Sequence, residues 1–394
     1  MPREPFPGAL CQTARRMTTV VRHEEAPGAR DPDRNRSLRS RRRALTAALA
    51  LAGAGALLAA CGSSGPEAAK QTRRATHSTS RPATVAASGR DCPLRGTPAP
   101  HGVVPQRSAL AVKVTNYPTG RPQTGMTAAD IVFEEPVEGG VTRYVAVFQC
   151  HGTSTVGPVR SARNIDIGIL GEFGHPLFVH VGGIQPVIDN IISSPLNDFE
   201  LGDYTSIIQH PPGRVAPYDT YTSTTAVWQM RSTANQAPQP VFSYSSKVPA
   251  GTPVKSVSIP FSSYSPVVWR YDAKTHEFLR FYGTSPDVLS NGVQNSASNV
   301  IVQFIDVYYG PWVENAQGAL EVQANLYTHA SGKAIVFRNG VAIPGRWSRT
   351  TLGQPTSFTT SSGQPIRLQP GVTWVELVPS TVTVTTTPPV STSP

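Results

Sequence analysis

The side chains best suited to chemistry crowd around one glycine turn. Asp130, Glu134, Glu135 and Glu138 lie in "ADIVFEEPVEGGVTR", and Asp166 follows the arginine-rich stretch "PVRSARNID". Paired carboxylates serve glycoside hydrolysis when one protonates the leaving group while the other attacks or activates water. Glu134 and Glu135 are neighbours on an expected strand and so point to opposite faces, which prevents them from forming that pair. Ion pairing to Arg143 or Arg160 is the expected role of the hairpin glutamates, and Glu134, Glu138 and Asp166 are the candidate catalytic groups of the alternative reading. Arg160 and Arg163 flank the start of an expected helix, where backbone N–H groups and guanidinium groups suit a phosphate or carboxylate. With Arg143 and Arg121 they form the candidate ligand-binding set. No P-loop, Gly-x-Ser-x-Gly elbow, Ser-x-x-Lys pattern or zinc spacing accompanies them. This moves the weight from an enzyme toward a binding or scaffold protein, with no metal and no cofactor expected.

The elements that must position these residues are short. Ala111–Thr115 alternates as a strand, Thr124–Ala129 suits one helical turn, and Ile131–Phe133 opens a second strand. Glu138, Gly139 and Gly140 make a three-residue hairpin loop in which the glycines supply the positive φ. That loop pairs Glu135 with Arg143, Phe133 with Val145 and Ile131 with Val147 on one face, apolar except for an ion pair at a wet end. A helix is expected over Ser161–Glu172, a buried strand over Leu177–Val181, a turn at Gly182-Gly183 and a helix over Ile184–Ile192. From about Val254 the pattern turns to short β runs, with hairpin turns at Asp272–Thr275 and Asn339-Gly340. The fold class is α+β: a mixed α/β N-terminal domain over 108–245, then a β-rich domain over 254–380. Trp269, Trp312, Trp347 and Trp374 are read as core residues, with a sugar-stacking face as the alternative.

Several runs in this region resemble the YerB-type bacterial lipoprotein family, whose function is unknown. They are Arg121-Pro122-Gln123, Ala129–Glu135, Val137–Arg143 and Val156–Arg163, together with "GKAIVFRNGVAIPGRWSRTTLGQPTSF" and "LQPGVTWVELVP" further on. The resemblance covers roughly Leu110 to Pro379 and implies an envelope lipoprotein with distinct N- and C-terminal parts. The chain departs from it at two places. Ile184 stands where the family often has a serine, and Pro217-Tyr218-Asp219 where it often has Pro-His-Asn, so a serine or histidine role does not carry over.

The remaining sequence places the chain in the cell. Arg39–Arg43 precedes an uncharged run from Ala44 to Ala60 that is too short for a comfortable membrane span and suits a signal-peptide core. The run ends Leu58-Ala59-Ala60-Cys61, a lipobox, so Cys61 is expected to be lipidated and to become the mature N-terminus. An uncleaved helix with an incidental cysteine is the alternative. Ser40-Arg41-Arg42 resembles a twin-arginine signal but lacks the usual aromatic, which favours the Sec route. Residues before about 36 match no signal and include Met17, so a start downstream of Met1 leaves this reading unchanged. Residues 1–60 are read as signal peptide with an upstream extension, 61–107 as a disordered tether and 381–394 as a disordered tail.

Net charge is +10, but residues 1–60 hold 11 basic and 5 acidic side chains, and 61–109 hold 7 and 2. The body is left near neutral, which excludes a nucleic-acid patch. Cys11 lies in the pre-sequence and Cys61 carries lipid. Cys92 and Cys150 are therefore expected to pair as a disulfide in an exported chain. None of His151, His175, His180 and His210 forms a metal pattern with them. The sequence thus points to a protein on the extracytoplasmic face of the cell membrane, lipid-anchored there. Its expected partner is an anionic or glycan cell-wall component or an envelope protein, with an envelope hydrolase as the alternative.

Overall fold

A computed structural model of the chain describes residues 90–231 and 236–388. The expected signal sequence, Cys61, the tether up to residue 89 and the last six residues lie outside the described residues. Two expected boundaries shift. Residues 90–107, expected in the tether, belong to the packed body, because Cys92 and Leu94 are buried and Cys92 is bonded to Cys150, with Cα atoms 5.8 Å apart. At the other end, Thr385–Thr387 is a strand and not a loose tail.

Chain order gives β1 (Leu110–Thr115), β2 (Ile131–Pro136), β3 (Thr142–Phe148), helix α1 (Ile165–Leu170), β4 (Leu177–His180), α2 (Gln185–Ser193), β5 (Asn197–Glu200) and α3 (Thr224–Met230). The second block adds β6 (Thr252–Pro253), β7 (Ser256–Pro260), β8 (Pro266–Asp272), β9 (Glu277–Tyr282), β10 (Ser285–Pro286), β11 (Ser296–Ala297) and β12 (Asn299–Ile305). It closes with β13 (Val307–Val313), β14 (Leu320–Ala324), β15 (Ala330–Arg338), β16 (Val341–Arg349), β17 (Ser357–Thr359), β18 (Thr373–Pro379) and β19 (Thr385–Thr387). The α+β class expected from the sequence holds.

Both blocks build one sheet, in the order β17-β16-β15-β12-β18-β2-β3-β1-β4-β5, with β6 on β16. The join is β18, which runs parallel to β12 on one side and to β2 on the other. A strand buried on both faces needs apolar residues at nearly every position, and "IVF" of β2 and "YVAVF" of β3 satisfy that. On one face Val112, Val132, Tyr144 and Trp374 share a core with Val257, Ile259, Val267 and Trp269 of a second sheet, ordered β10-β9-β8-β7-β19 with β11 on β9. On the other face Phe133, Val145 and Val375 pack with Ile165 and Ile169 of α1 and Val187 and Ile191 of α2.

The β2–β3 register matches the expected one: Glu135 faces Arg143, Phe133 faces Val145 and Ile131 faces Val147. Both expected turns also form, and Asn339 and Gly340 adopt the positive φ (50° and 71°) that a tight two-residue hairpin demands. The helix expected from Ser161 begins only at Ile165. Arg160 is spent on extended pairing instead, its N–H bonding to the Lys113 carbonyl and its carbonyl accepting from Val181. Trp269, Trp347 and Trp374 are buried, which removes them from any sugar-stacking face; Trp312 is half-buried against the core.

Candidate ligand-binding face

The carboxylates of the hairpin are locked by cations. Glu134 is fully buried on the face toward the second sheet, where it accepts from Arg280 at 2.6 Å, Thr142 at 2.6 Å and Asn116 at 3.0 Å. Arg280 also reaches Asp287 at 2.6 Å. Glu376 of β18 lies beside Glu134 in register and accepts from the Trp269 indole at 2.7 Å. Burial, then the neighbouring Glu134, pushes the Glu376 carboxyl well above its ordinary range.

The opposite face carries a second set. Lys113 of β1, fully buried, bonds Glu135 and also Asp166 of α1 at 2.7 Å. Burial and the nearby Asp166 raise Glu135 to about 8 against the pull of Lys113. Glu135 is thus held by Lys113 and not by the expected Arg143, and both side chains are buried while Gly139 and Gly140 at the turn stay exposed. Arg143 instead bonds Glu138 at 3.3 Å and donates to the Ser161 carbonyl at 2.8 Å. Arg163 clamps Glu138 from the other side and meets Glu314 at 3.1 Å. Burial opposes the charge on Glu138, yet the hydrogen bond from Arg163 and the fields of both arginines bring it down to about 2. Asp166 is occupied twice, by Lys113 and by the Arg163 N–H at 2.7 Å.

Arg160 differs from Arg163, three residues away in the same motif. Among the described residues it has no carboxylate within ion-pairing distance. It donates to the Pro217 carbonyl at 3.2 Å and lies 5.3 Å from the centre of the Tyr218 ring. Tyr218 is parallel to Tyr117 at 6.0 Å, and Tyr117 neighbours Tyr264 at 6.1 Å. Arg121 donates to the carbonyls of Asn116 and Tyr264 at 2.8 and 2.9 Å and covers the Tyr282 ring at 3.5 Å. Tyr117 and Tyr264 are 37% and 47% exposed, so this is a solvent-facing array of rings and unneutralised guanidinium groups. Of the four candidate arginines, Arg160 and Arg121 share this face, whereas Arg143 and Arg163 belong to the locked carboxylates.

Sequence reasoning missed Lys113, Arg280, Glu376 and the tyrosines as a group. Lys113 had a signal, a lone cation amid the apolar residues of "LAVKVT". His180, which fits no metal pattern in the sequence, is a buried ion-pair member, bonded to Asp198 at 2.8 Å. Burial opposes its charge, and Asp198 and Glu200 outweigh that and raise its pKa.

Two family models match the chain, the N-terminal domain of the protein of unknown function DUF3048 over residues 94–238 and its C-terminal domain over 257–375. The chain belongs to the DUF3048 family. A Bacillus subtilis (strain 168) relative named "Putative lipoprotein YerB" is 26% identical over 288 residues, covering 70% of this chain and 82% of the relative. The crystal structure of the YerB protein from Bacillus subtilis superposes with a TM-score of 0.64 at 24% identity, over 75% of this chain and 99% of that one. The two proteins therefore share a fold. Of the two positions noted in the sequence, Tyr218 lies beside the Arg160 guanidinium, and Ile184 follows the turn in which the Gly182 carbonyl accepts from Ala162.

Proposed function

We propose that this DUF3048 protein is anchored by lipid at Cys61 on the outer side of the cell membrane and binds an anionic glycan of the cell wall. The face of Arg160, Tyr218, Tyr117, Tyr264 and Arg121 is the binding surface. The observation that carries the reading is the state of Arg160, a guanidinium held against a tyrosine with no carboxylate among the described residues within ion-pairing distance. Rings present flat apolar surface to the C–H faces of sugars, and guanidinium groups take phosphate or carboxylate by charge-assisted hydrogen bonds. The lipobox and the lipoprotein name of the Bacillus relative support the anchoring. Hydrolysis has less to draw on, because Glu134, Glu138 and Asp166 are each buried or clamped by a cation.

Titration of purified anionic wall polymer tests the surface. Arg160→Gln should weaken binding by about tenfold or more, the value of one charge-assisted contact, with the melting temperature nearly unchanged. Arg160→Gln protein that binds like wild type would overturn the proposal. For the anchor, Cys61→Ala should move the protein from the membrane to the soluble fraction, and retention of the variant in the membrane would count against lipidation.

A further inference from the structure

The segment that carries Tyr218 also walls a cleft of about 500 Å³, lined by Thr124, Thr155, Gln209, His210 and Arg214 and, from the second block, Ser290. Its lining includes no acidic residue. Arg214 donates to the carbonyl oxygens of Gly120, Arg121 and Pro122. These contacts fix the guanidinium without cancelling its charge, and among the described residues no carboxylate lies within ion-pairing distance of it. A guanidinium has five N–H donors, so some are left for a ligand. His210 turns Nδ1 to the Asp219 carbonyl at 3.0 Å and carboxylate at 3.5 Å, and the ring is 62% exposed.

The neutral groups are also arranged. Thr124 and Ser290 share one hydrogen bond at 2.8 Å, and Thr124 also interacts with the Tyr221 hydroxyl, so the pair offers hydroxyl lone pairs and the Ser290 hydroxyl to a ligand. Thr155 donates to Gln209 at 2.8 Å, and Gln209 donates to the Ser154 carbonyl at 2.9 Å, so the amide is held in one orientation. The one tyrosine of the lining, Tyr221, is buried and offers no face on which a base could stack. A cation, an imidazole and a pair of hydroxyls, without an exposed aromatic platform, suit an anion that carries its own hydroxyl groups.

We propose that this cleft binds a phosphorylated polyol, with the phosphate on Arg214 and His210 and the polyol hydroxyls on Thr124 and Ser290. The site is distinct from the Arg160 face and does not rest on it.

The test is calorimetric titration of the mature protein with sn-glycerol 3-phosphate, with glycerol and inorganic phosphate as separate probes. Glycerol phosphate should saturate, inorganic phosphate should bind several-fold more weakly, and glycerol should not bind. Arg214→Gln should weaken glycerol phosphate about tenfold or more and Ser290→Ala a few-fold. Arg214 also ties three carbonyls together, so Ser290→Ala and Thr124→Ala decide the matter if Arg214→Gln does not fold. In the wild type, the ring signals of His210, identified by their loss in His210→Gln, should shift on titration. Absence of saturation, unmoved His210 signals, or wild-type affinity in these variants would overturn the proposal. So would inorganic phosphate binding as tightly as glycerol phosphate, which would leave an adventitious anion site only. A failure of Arg160→Gln to alter polymer binding leaves this result standing, because free glycerol phosphate is read on other residues.

Discussion

Lys113 and Arg280 are both buried cations set between carboxylates, on opposite faces of one sheet, yet they tie together different parts of the chain. Lys113 links β1 to β2 through Glu135 and to α1 through Asp166, all within the first block. Arg280 stands on the second sheet and reaches across to Glu134 of the first block while holding Asp287 of its own. It is walled by rings, with Tyr282 at 4.6 Å, Trp374 at 5.2 Å and Tyr144 at 5.4 Å. Each cluster contains more carboxyl groups than its cation can match, and each shows one with a raised pKa, Glu135 or Glu376. The proton balance is similar on the two faces. What differs is reach: one cluster seats a short helix, and the other joins two sheets.

The largest expected effect breaks that comparison directly. Removing one partner of a buried ion pair costs about 3–5 kcal/mol, so Arg280→Met and Lys113→Met should each lower the urea unfolding free energy by that order. They should differ in where the structure loosens. Limited proteolysis of Arg280→Met should cut first within residues 256–297, whereas Lys113→Met should be cut first near residues 160–175. Identical cleavage patterns would mean that the two clusters do not divide the labour described.

A smaller effect is read in the pH dependence. Glu135 at about 8 and Glu314 at about 7 hold protons more tightly in the folded chain than at their ordinary 4.5. Their contribution is fully present below about pH 4.5 and is lost as pH rises through 7 to 8. Glu138, at about 2, works in the opposite sense, being stabilising above about 4.5 and lost as pH falls toward 2. Stability should therefore peak on the acid side of neutrality and decline from about pH 5 to 8. Glu135→Gln, which mimics the protonated carboxyl, should flatten that decline. An unchanged slope in the variant would remove Glu135 as its source.

Local chemistry and the disulfide were legible in the sequence, and the other long-range pairings were not. The β2–β3 register followed from alternation and two glycines, and the Cys92–Cys150 pair from counting thiols in an exported chain. The Lys113 cluster was hidden because strand periodicity assigns every second residue to a face without saying whether that face meets water. Helix onset at Ile165 was missed because Arg160 is drawn into pairing by Lys113 and Val181, partners far off in sequence. The Arg160 face was half visible. Its arginines stood out in the motif, whereas Tyr117, Tyr218 and Tyr264 come from three separate segments that only the fold assembles.

The position of β18 sets a timetable for the chain. Thr373–Pro379 fills the gap between β12 and β2, so each half of the main sheet keeps an open edge until almost the last of the body has been synthesised. Pairings over such sequence distances form late and slowly. A chain ending before residue 373 cannot join the two halves through β18, and its β2 edge would stay bare to a strand from another molecule.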